Sequence, residues 1–464
     1  RRTVGKRPAT LQSRSLRNRS RWRQGLCVLG TCLRLVSLMR GICFPATLYS
    51  FTLPKPVNLR RLIPFFDTTA QDWSLEARVL RWLTFVWLFI GLAMVFSASY
   101  AIADAEHGDG LYYFKLQIFW ILVGLIGFNL LVHMPLRFIV GFADWILLII
   151  LGLIVVTLIP GVGVLVNGSS RWLYLGPIPL QPSELIKPFL VLQSARIFSQ
   201  WERLRWVVRL TWLGVFCLVV ASILLQPNLS TAALCGIMLW LVALGAGLPY
   251  SQLGATALAG LTIAALSVSL RSYQLKRILS FLNAWADPHG NGYQLIQSLL
   301  AVASGGLWGT GFGLSQQKLF YLPIQYTDFI FAVFAEEFGF IGCLLLLSLL
   351  AGYATLAVRV ALRAKSPVQR LIAIGVMVLL VGQSLLNIGV ATGVLPTTGL
   401  PFPLMSYGGS SMISSLIAAG LLIRVAREGS EAKVVQLDER RQPPYPGASR
   451  QGSHRSRSVP RRAT

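Results

Sequence analysis

The feature that most constrains this chain is a series of long apolar runs separated by short polar segments. A helix needs about 20 residues to cross the ~30 Å hydrocarbon core of a bilayer, and most of these runs reach that length. Only 13% of the 464 residues are charged, whereas soluble domains usually carry about a quarter. The sequence therefore predicts an all-α polytopic membrane protein with about ten transmembrane helices, at 82–100, 117–134, 138–159, 184–199, 206–225, 229–247, 250–270, 328–358, 371–391 and 407–424.

Basic residues predict which ends of these helices face the cytoplasm. Arginines and lysines cluster between spans four and five, between spans eight and nine, and at both ends of the chain. Positive loops stay cytoplasmic, so both termini are predicted to lie inside. The segments 101–116, 160–183, 271–327 and 392–406 then face out, and the longest of them separates spans seven and eight.

The net charge of +25 comes mostly from the two ends of the chain. Residues 1–80 and 426–464 are predicted to be basic, disordered cytoplasmic segments that flank a membrane domain at 81–425. Basic segments beside a membrane meet anionic lipid headgroups, so nucleic-acid binding is not expected. The six Cys and four His residues show neither a disulfide framework nor metal-ligand spacing, and no structural metal site is expected.

The first long outward segment carries a candidate charged pair. In "NGSSRWLYLGPIPLQPSELIK", Lys187 follows Glu184 by three residues, so both lie on one side of a helix. One interpretation is a helix start with a local ion pair. The other is a carboxylate–ammonium pair that, together with Arg171, binds a diphosphate or another anionic headgroup.

The second outward segment contains "WADPHGNGYQ", in which Asp287 stands before a Pro-containing turn. Asp-Pro followed by glycines is ordinary turn chemistry. The neighbouring side chains offer aromatic faces and amide edges suited to a sugar ring and its hydroxyls; they are Trp285, Tyr293, Gln294 and Gln297. On these residues alone, a structural turn and a sugar-binding site are both open.

Two later segments also carry polar residues. "TDFIFAVFAEEFG" puts Asp328 at a helix start and two acids, Glu336 and Glu337, about two turns deeper. Acids within a membrane are costly unless they are paired or hydrated. "TGVLPTTGLPFPLMSYGGSS" has no charge, and it predicts either non-helical backbone that lines a cavity or a packed plug between helices.

Taken together, these segments resemble the SEDS family of bacterial cell-wall proteins. The matching pieces, which also include "LLQPNLSTA" and "GGLWGTGFGLSQQKLFYLP", occur in family order over roughly residues 80 to 425. The resemblance implies a peptidoglycan glycosyltransferase that polymerises lipid II at the outer face of the bacterial cytoplasmic membrane, for septal wall synthesis in division. A lipid II flippase, an elongation-type polymerase and a non-catalytic scaffold are the alternatives. A class B penicillin-binding protein, other division proteins and membrane lipids are the expected partners.

The resemblance also implies residue roles, with Asp287 as the essential carboxylate. We expect Asp287 to act as general base toward the acceptor 4-hydroxyl of lipid II. The polyprenyl diphosphate leaving group needs positive charge, which we assign to Lys187 and Arg171; a divalent cation, Mg²⁺ or Mn²⁺, could share that role. The candidate substrate-binding residues are Glu184, Lys187, Arg171, Trp285, Tyr293, Gln294, Gln297, Lys318, Asp328, Ser406 and Gly408.

One position departs from the family pattern. The usual aspartate of "QPDLGT" is Asn228 here, and Ser230 replaces the glycine. This departure weakens any role for a carboxylate at this position and leaves Asp287 untouched.

Overall fold

The protein is a bundle of apolar helices, seen here in a computed structural model that describes residues 73–159, 163–166, 169–176 and 178–441. The helices are α1 (Leu75–His107), α2 (Tyr112–His133), α3 (Leu136–Thr157), α4 (Pro182–Phe198), α5 (Trp206–Leu225), α6 (Leu229–Gly245), α7 (Tyr250–Leu270), α8 (Ser272–Leu282), α9 (Tyr293–Ser304), α10 (Ile330–Arg363), α11 (Pro367–Ala391) and α12 (Gly409–Arg441).

Ten of these helices coincide with the ten predicted spans, which confirms the all-α polytopic membrane fold. Eight are long and apolar enough to cross a membrane. The other two, α4 and α6, have 17 residues each, slightly fewer than the ~20 that a full crossing needs. For these two helices, the count of ten spans stays a prediction.

The loops collect at two ends of the bundle. At one end, which we call the loop end, Arg171 bonds to the backbone of Gln226 and Arg277 to the backbone of Thr397. At the opposite end, Arg370 bonds to Gly245. The loop end therefore contains 108–111, 163–166, 169–176, 178–181, 226–228, 271–329 and 392–408, which overlap all four segments predicted to face out.

The helices differ strongly in burial. In the most apolar 18-residue stretch of α12, 83% of the residues are buried. In the corresponding stretch of α7, 6% are buried. Leu253 is the one buried residue of α7, and it packs beside α6, where the Trp240 indole donates to its carbonyl. α12 is thus central, and α7 stands at the rim with its apolar side chains outward, as lipid solvation requires.

A small antiparallel sheet interrupts the all-α pattern at the loop end. Its strands are β1 (Val164–Val166), β2 (Ser169–Leu175) and β3 (Ile178–Leu180), in the order β1-β2-β3. Leu173 pairs with Leu180, and Val164 pairs with Trp172. The sheet leads directly into α4, so it fixes Arg171, on β2, above the start of the helix that carries Glu184.

α10 is broken one third of the way along, where Gly339 has φ +64°. Residues 305–318, which we call the glycine loop, bond to this break. Thr310 and Gly311 donate to the carbonyls of Glu336 and Glu337, at 2.9 and 3.0 Å. The amide of Phe340 donates back to Gly306, also at 2.9 Å. Non-helical backbone at this depth thereby has its hydrogen bonds satisfied inside the protein.

Gly309→Ala is expected to destabilise the protein more than Gly313→Ala. Both glycines have positive φ, +80° and +82°, and alanine there costs roughly 1–2 kcal/mol. A Cβ on Gly309 would also lie 2.2 Å from the carbonyl oxygen of Glu337, while nothing lies within 4 Å at Gly313. Thermal unfolding of the two variants in detergent measures the difference. Equal losses would show that the glycine loop does not pack against α10.

The domain ends differ from the predicted boundaries. Most of the predicted segment 1–80 lies outside the described residues, and α1 already begins at Leu75. Of the predicted tail 426–464, the part up to Arg441 continues α12. Glu428, near the start of this predicted tail, holds the helix in place. Its side chain accepts hydrogen bonds from the Leu136 amide and from the Gln369 side chain. These bonds tie α12 to α3 and α11.

Candidate functional site

Asp287 lies in a tight turn between a single 3₁₀ turn at Ala284–Ala286 and α9. Its Oδ2 accepts hydrogen bonds from the backbone amide of Asn291 at 2.8 Å and from the Asn291 side chain at 3.1 Å. These bonds lower the pKa of Asp287. The side chain is exposed, so this is an ionised carboxylate, held in a fixed position and open to solvent.

Two glycines make this turn possible because they allow close approach. A Cβ on Gly290 would lie 2.3 Å from Asp287 Oδ2, and one on Gly292 would lie 2.0 Å from the carbonyl oxygen of Ala284. Neither glycine has a positive φ. Asp287 therefore fits both interpretations, a structural turn and a functional carboxylate, because the turn holds the carboxylate at the surface.

The aromatic and amide residues around Asp287 occupy the start of α9. Trp285 is 65% exposed, and Tyr293, Gln294 and Gln297 are half-buried. α9 also packs against α11, since the Ser298 hydroxyl donates to Ala391 O at 2.8 Å. The predicted sugar-binding side chains thus share the accessible surface beside Asp287.

Glu184 and Lys187 form the predicted ion pair, but the pair is buried inside the protein. Lys187 Nζ lies 2.7 Å from Glu184 Oε1 and 2.8 Å from Oε2, and it donates to Gln383 Oε1 at 3.0 Å. The two residues are only 3% and 1% exposed. Both hydrogen bonds that Lys187 Nζ donates therefore end on buried side chains inside the protein. The prediction that Lys187 steadies a diphosphate needs revision on this ground.

The charges of two arginines from separate loops, Arg277 and Arg171, act on the buried Asp328. Burial raises the pKa of Asp328 to about 6, and the charges of Arg277 and Arg171 oppose that rise. The Glu184 carboxylate, also close enough to act on Asp328, adds to the rise. Arg171 is itself partly buried, which lowers its pKa. Arg171, Glu184 and Asp328, three of the candidate substrate-binding residues, thus influence one another electrostatically, and Arg277 joins them.

Backbone contacts hold both arginines at this position. Arg171 donates from Nη2 to Pro227 O at 2.7 Å and from Nε to Gln226 O at 3.2 Å. Arg277 donates from Nη1 to Thr397 O at 3.1 Å. Among the described residues, no hydrogen bond or ion pair links Asp287 to this cluster. The carboxylate and the arginines are thus two separate parts of the loop end.

The last loop of the loop end is a packed plug. Phe402, Leu404 and Met405 are at most 1% exposed. The Ser406 hydroxyl donates to Thr327 O, and the amide of Gly408 donates to Gln117 Oε1 at 3.4 Å. Of the two predicted alternatives, the structure has the plug, with Ser406 and Gly408 as its internal contacts.

Lys318, another candidate substrate-binding residue, is also committed inside the protein. Its Nζ lies 2.7 Å from Glu337 Oε1 and 2.7 Å from the Ser97 hydroxyl. Glu336 accepts from the amides of Gln316 and Gln317 at 2.9 and 3.3 Å. Both acids are 1% exposed, so the glycine loop supplies a cation to Glu337 and hydrogen-bond donors to Glu336.

Sequence reasoning missed three polar residues of this region, Arg277, Gln383 and Asn387. Asn387 donates to Asp328 O and to Leu400 O, both at 2.8 Å. Gln383 joins Lys187 to the plug by donating to Pro401 O at 2.7 Å. The available signal was spacing, because Gln383 and Asn387 lie four residues apart on one face of an otherwise apolar helix. Asn228, the departure from the family pattern, caps α6 by accepting from Thr231 N at 3.3 Å.

The arrangement combines an exposed carboxylate, a partly buried arginine pair and aromatic side chains at one end of an apolar bundle. Such a site suits a substrate with an anionic group, a polar ring and a lipid tail that stays in the bilayer. These features define a polytopic membrane protein with a polar site at one end of its bundle.

Comparison with known proteins identifies the family. Residues 77–431 match FtsW/RodA/SpoVE, described as "Cell cycle protein", and the chain belongs to this family. A Synechocystis protein named probable peptidoglycan glycosyltransferase FtsW is 56% identical over 387 residues, which cover 83% of this chain and 98% of the relative. Stage V sporulation protein E of Bacillus subtilis is 37% identical, with coverages of 74% and 95%.

Solved structures agree with this assignment. A chain of a peptidoglycan synthase complex, described as "Structural coordination of polymerization and crosslinking", matches with a TM-score of 0.61 and 31% identity, covering 75% of this chain and 97% of that one. The rod shape determining protein RodA of Thermus thermophilus matches with a TM-score of 0.56 and 29% identity, covering 75% and 96%. The predicted resemblance and the predicted class, a peptidoglycan glycosyltransferase, are confirmed.

Proposed function

We propose that this peptidoglycan glycosyltransferase joins the disaccharide units of lipid II, with Asp287 as the general base. The observation that carries the proposal is the exposed, ionised Asp287 carboxylate, held by Asn291 beside aromatic and amide side chains. A sugar hydroxyl is a poor nucleophile and needs a base within hydrogen-bond reach. The acceptor 4-hydroxyl would give its proton to Asp287 as it attacks the anomeric carbon of the donor.

The leaving group of this reaction is polyprenyl diphosphate, which we assign to Arg171 and Arg277. Guanidinium groups match diphosphate oxygens in geometry and stay charged. Both arginines are fixed by backbone carbonyls at the loop end, whereas Lys187 is enclosed by Glu184 and Gln383. Lys187 then acts indirectly, by holding α4 against α11 beneath the site.

The described residues do not form a cage for a resident divalent cation. Among them, no three His, Cys, Asp or Glu side chains cluster in a way that could hold a metal, and the charges of Arg277 and Arg171 already act on Asp328. Mg²⁺ commonly binds through substrate phosphates and a few waters. In our proposal, a Mg²⁺ or Mn²⁺ ion would therefore enter with the diphosphate of the substrate.

The loop end would face the outside of the cytoplasmic membrane. The opposite end carries the basic residues between α4 and α5 and between α10 and α11, and basic loops stay cytoplasmic. Both termini would then be cytoplasmic. The names of the relatives favour a division role at the septum over the elongation role of a RodA-type polymerase. The matching synthase complex couples "polymerization and crosslinking", which supports a class B penicillin-binding protein as partner.

An assay that measures polymer and lipid movement separately tests this function. The purified chain with its transpeptidase partner receives labelled lipid II in detergent, and the same protein in liposomes is tested for lipid II translocation. We expect glycan from the wild type and none from Asp287→Ala. Equal glycan from both variants, or translocation without any polymer, would contradict the proposal and favour a base elsewhere or a flippase. Complex formation without polymer from any variant would indicate a scaffold.

A further inference from the structure

A group of aromatic side chains at the loop end has no part in the reaction described above. It consists of Tyr112, Tyr113, Tyr326, Tyr407 and His107, which we call the tyrosine patch. The Tyr113 ring stacks on Tyr326, with centroids 5.0 Å apart and an interplanar angle of 24°, and meets Tyr407 edge-on at 5.2 Å. The patch thus joins the turn between α1 and α2 to two distant loops.

The rim of the patch is exposed and polar. His107 stacks on Tyr112, with centroids 3.9 Å apart, and Tyr112 is 37% exposed. Glu106, with a side chain that is 53% exposed, accepts a hydrogen bond from the Tyr113 hydroxyl at 2.6 Å. A carboxylate and phenol hydroxyls therefore border the aromatic surface.

The patch is rigidly connected to the proposed active site. The amide of Tyr407 donates to Tyr326 O at 2.9 Å, and the next residue, Gly408, bonds to Gln117. Tyr326 stands two residues before Asp328, on which the charges of Arg277 and Arg171 act. A ligand on the patch would consequently lie along the same end of the bundle as the diphosphate site.

Stacked, partly exposed tyrosines also occur where proteins anchor at a membrane interface. Anchoring tyrosines point their rings toward lipid, with hydroxyls toward headgroups. Here three of the rings pack on one another across three segments of chain, and a carboxylate accepts one of the hydroxyls. This combination of an apolar ring face with fixed acceptors matches a sugar ring, whose C–H face is apolar and whose edge carries hydroxyls.

We propose that the tyrosine patch binds N-acetylated sugar units of the growing glycan strand, a role that rests on the proposed polymerase function. A polymerase that keeps hold of its product extends one strand repeatedly, and a second sugar site at the same end of the bundle supplies that hold. Tyr112 and His107 provide the accessible stacking surface, and Glu106 accepts from sugar hydroxyls.

Binding of a soluble glycan tests the patch independently of catalysis. The probe is the hexamer of β-1,4-linked N-acetylglucosamine, titrated against the purified full chain by calorimetry. We expect Tyr112→Ala to weaken binding about tenfold, as for loss of one stacking face, and Glu106→Gln to weaken it less. The control is Tyr250→Ala, because Tyr250 is 85% exposed and lies at the opposite end. Equal affinity in all three variants, or no saturable binding by the wild type, would overturn the proposal.

Two further measurements separate this proposal from its rivals. In the polymerisation assay, Tyr112→Ala is expected to give shorter strands at an unchanged initial rate. The loss of hexamer affinity caused by Tyr112→Ala should persist when Asp287→Ala is also present, so a failed polymerase function and a failed patch give different results. Loss of transpeptidase binding in Tyr112→Ala, with hexamer affinity intact, would overturn the proposal and show that the patch is a protein-docking surface.

Discussion

Replacing Asp287 with asparagine is expected to lower the initial rate of glycan synthesis by about 10²–10⁴-fold, the usual contribution of a positioned general base. Asparagine keeps the size of the side chain and can still bond to Asn291, but it does not accept a proton. Because Asp287 is exposed and lies outside the helices, folding should be unaffected. Initial rates with labelled lipid II at saturating concentration measure the loss, with thermal unfolding as the control.

The pH dependence of the rate provides a second observation on the same residue. The base must be ionised, so the rate falls as the pH falls through the pKa of Asp287. The backbone amide and the side chain of Asn291 both lower this pKa. Asn291→Ala removes the side-chain bond alone, so it should raise the pKa in part and move the acid limb of the pH–rate profile to higher pH. Well above the usual aspartate pKa of about 3.9, the rate should be unchanged. An identical acid limb in both proteins would contradict the assignment of Asp287 as the base.

Replacing Lys187 with methionine is expected to destabilise the protein by about 3–5 kcal/mol, because it leaves the buried Glu184 carboxylate without its partner. The double variant Lys187→Met with Glu184→Gln removes both charges and should recover much of the loss. Thermal unfolding in detergent gives the comparison. Retained activity in a stable double variant would support the indirect role of Lys187.

An exposed ion pair at the same end of the bundle provides the control. Lys115 lies 2.9 Å from Asp109, and the two side chains are 63% and 43% exposed. Lys115→Met should cost at most about 1 kcal/mol, as is usual for surface pairs. If Lys187→Met is no more harmful than Lys115→Met, the Glu184–Lys187 pair does not hold the bundle together.

Local patterns in the sequence were sufficient for several elements. The apolar runs located the ten helices, because a helix that crosses lipid needs a continuous stretch of apolar residues. The Asp-Pro-x-Gly-x-Gly pattern predicted the turn at Asp287, and the spacing of three residues predicted the Glu184–Lys187 contact. These features depend on residues that are close along the chain.

Contacts between distant segments were not predictable in this way. Arg277 reaches Thr397, 120 residues away, and no local pattern indicates that it shares a site with Arg171. Lys318 was predicted to bind substrate, but it pairs with Glu337, which lies in the next helix, α10. The three-stranded sheet was missed because its strands are short and alternate with Gly and Pro, which favour turns.

The buried ion pairs inside the bundle limit how the sequence of this protein can evolve. Two ion pairs are almost completely out of contact with water, Lys187 with Glu184 and Lys318 with Glu337. In each pair, the two opposite charges cancel. A single substitution at any of the four positions leaves a lone ion in a medium that does not solvate it. The four positions of these two pairs can therefore change only by coupled exchanges.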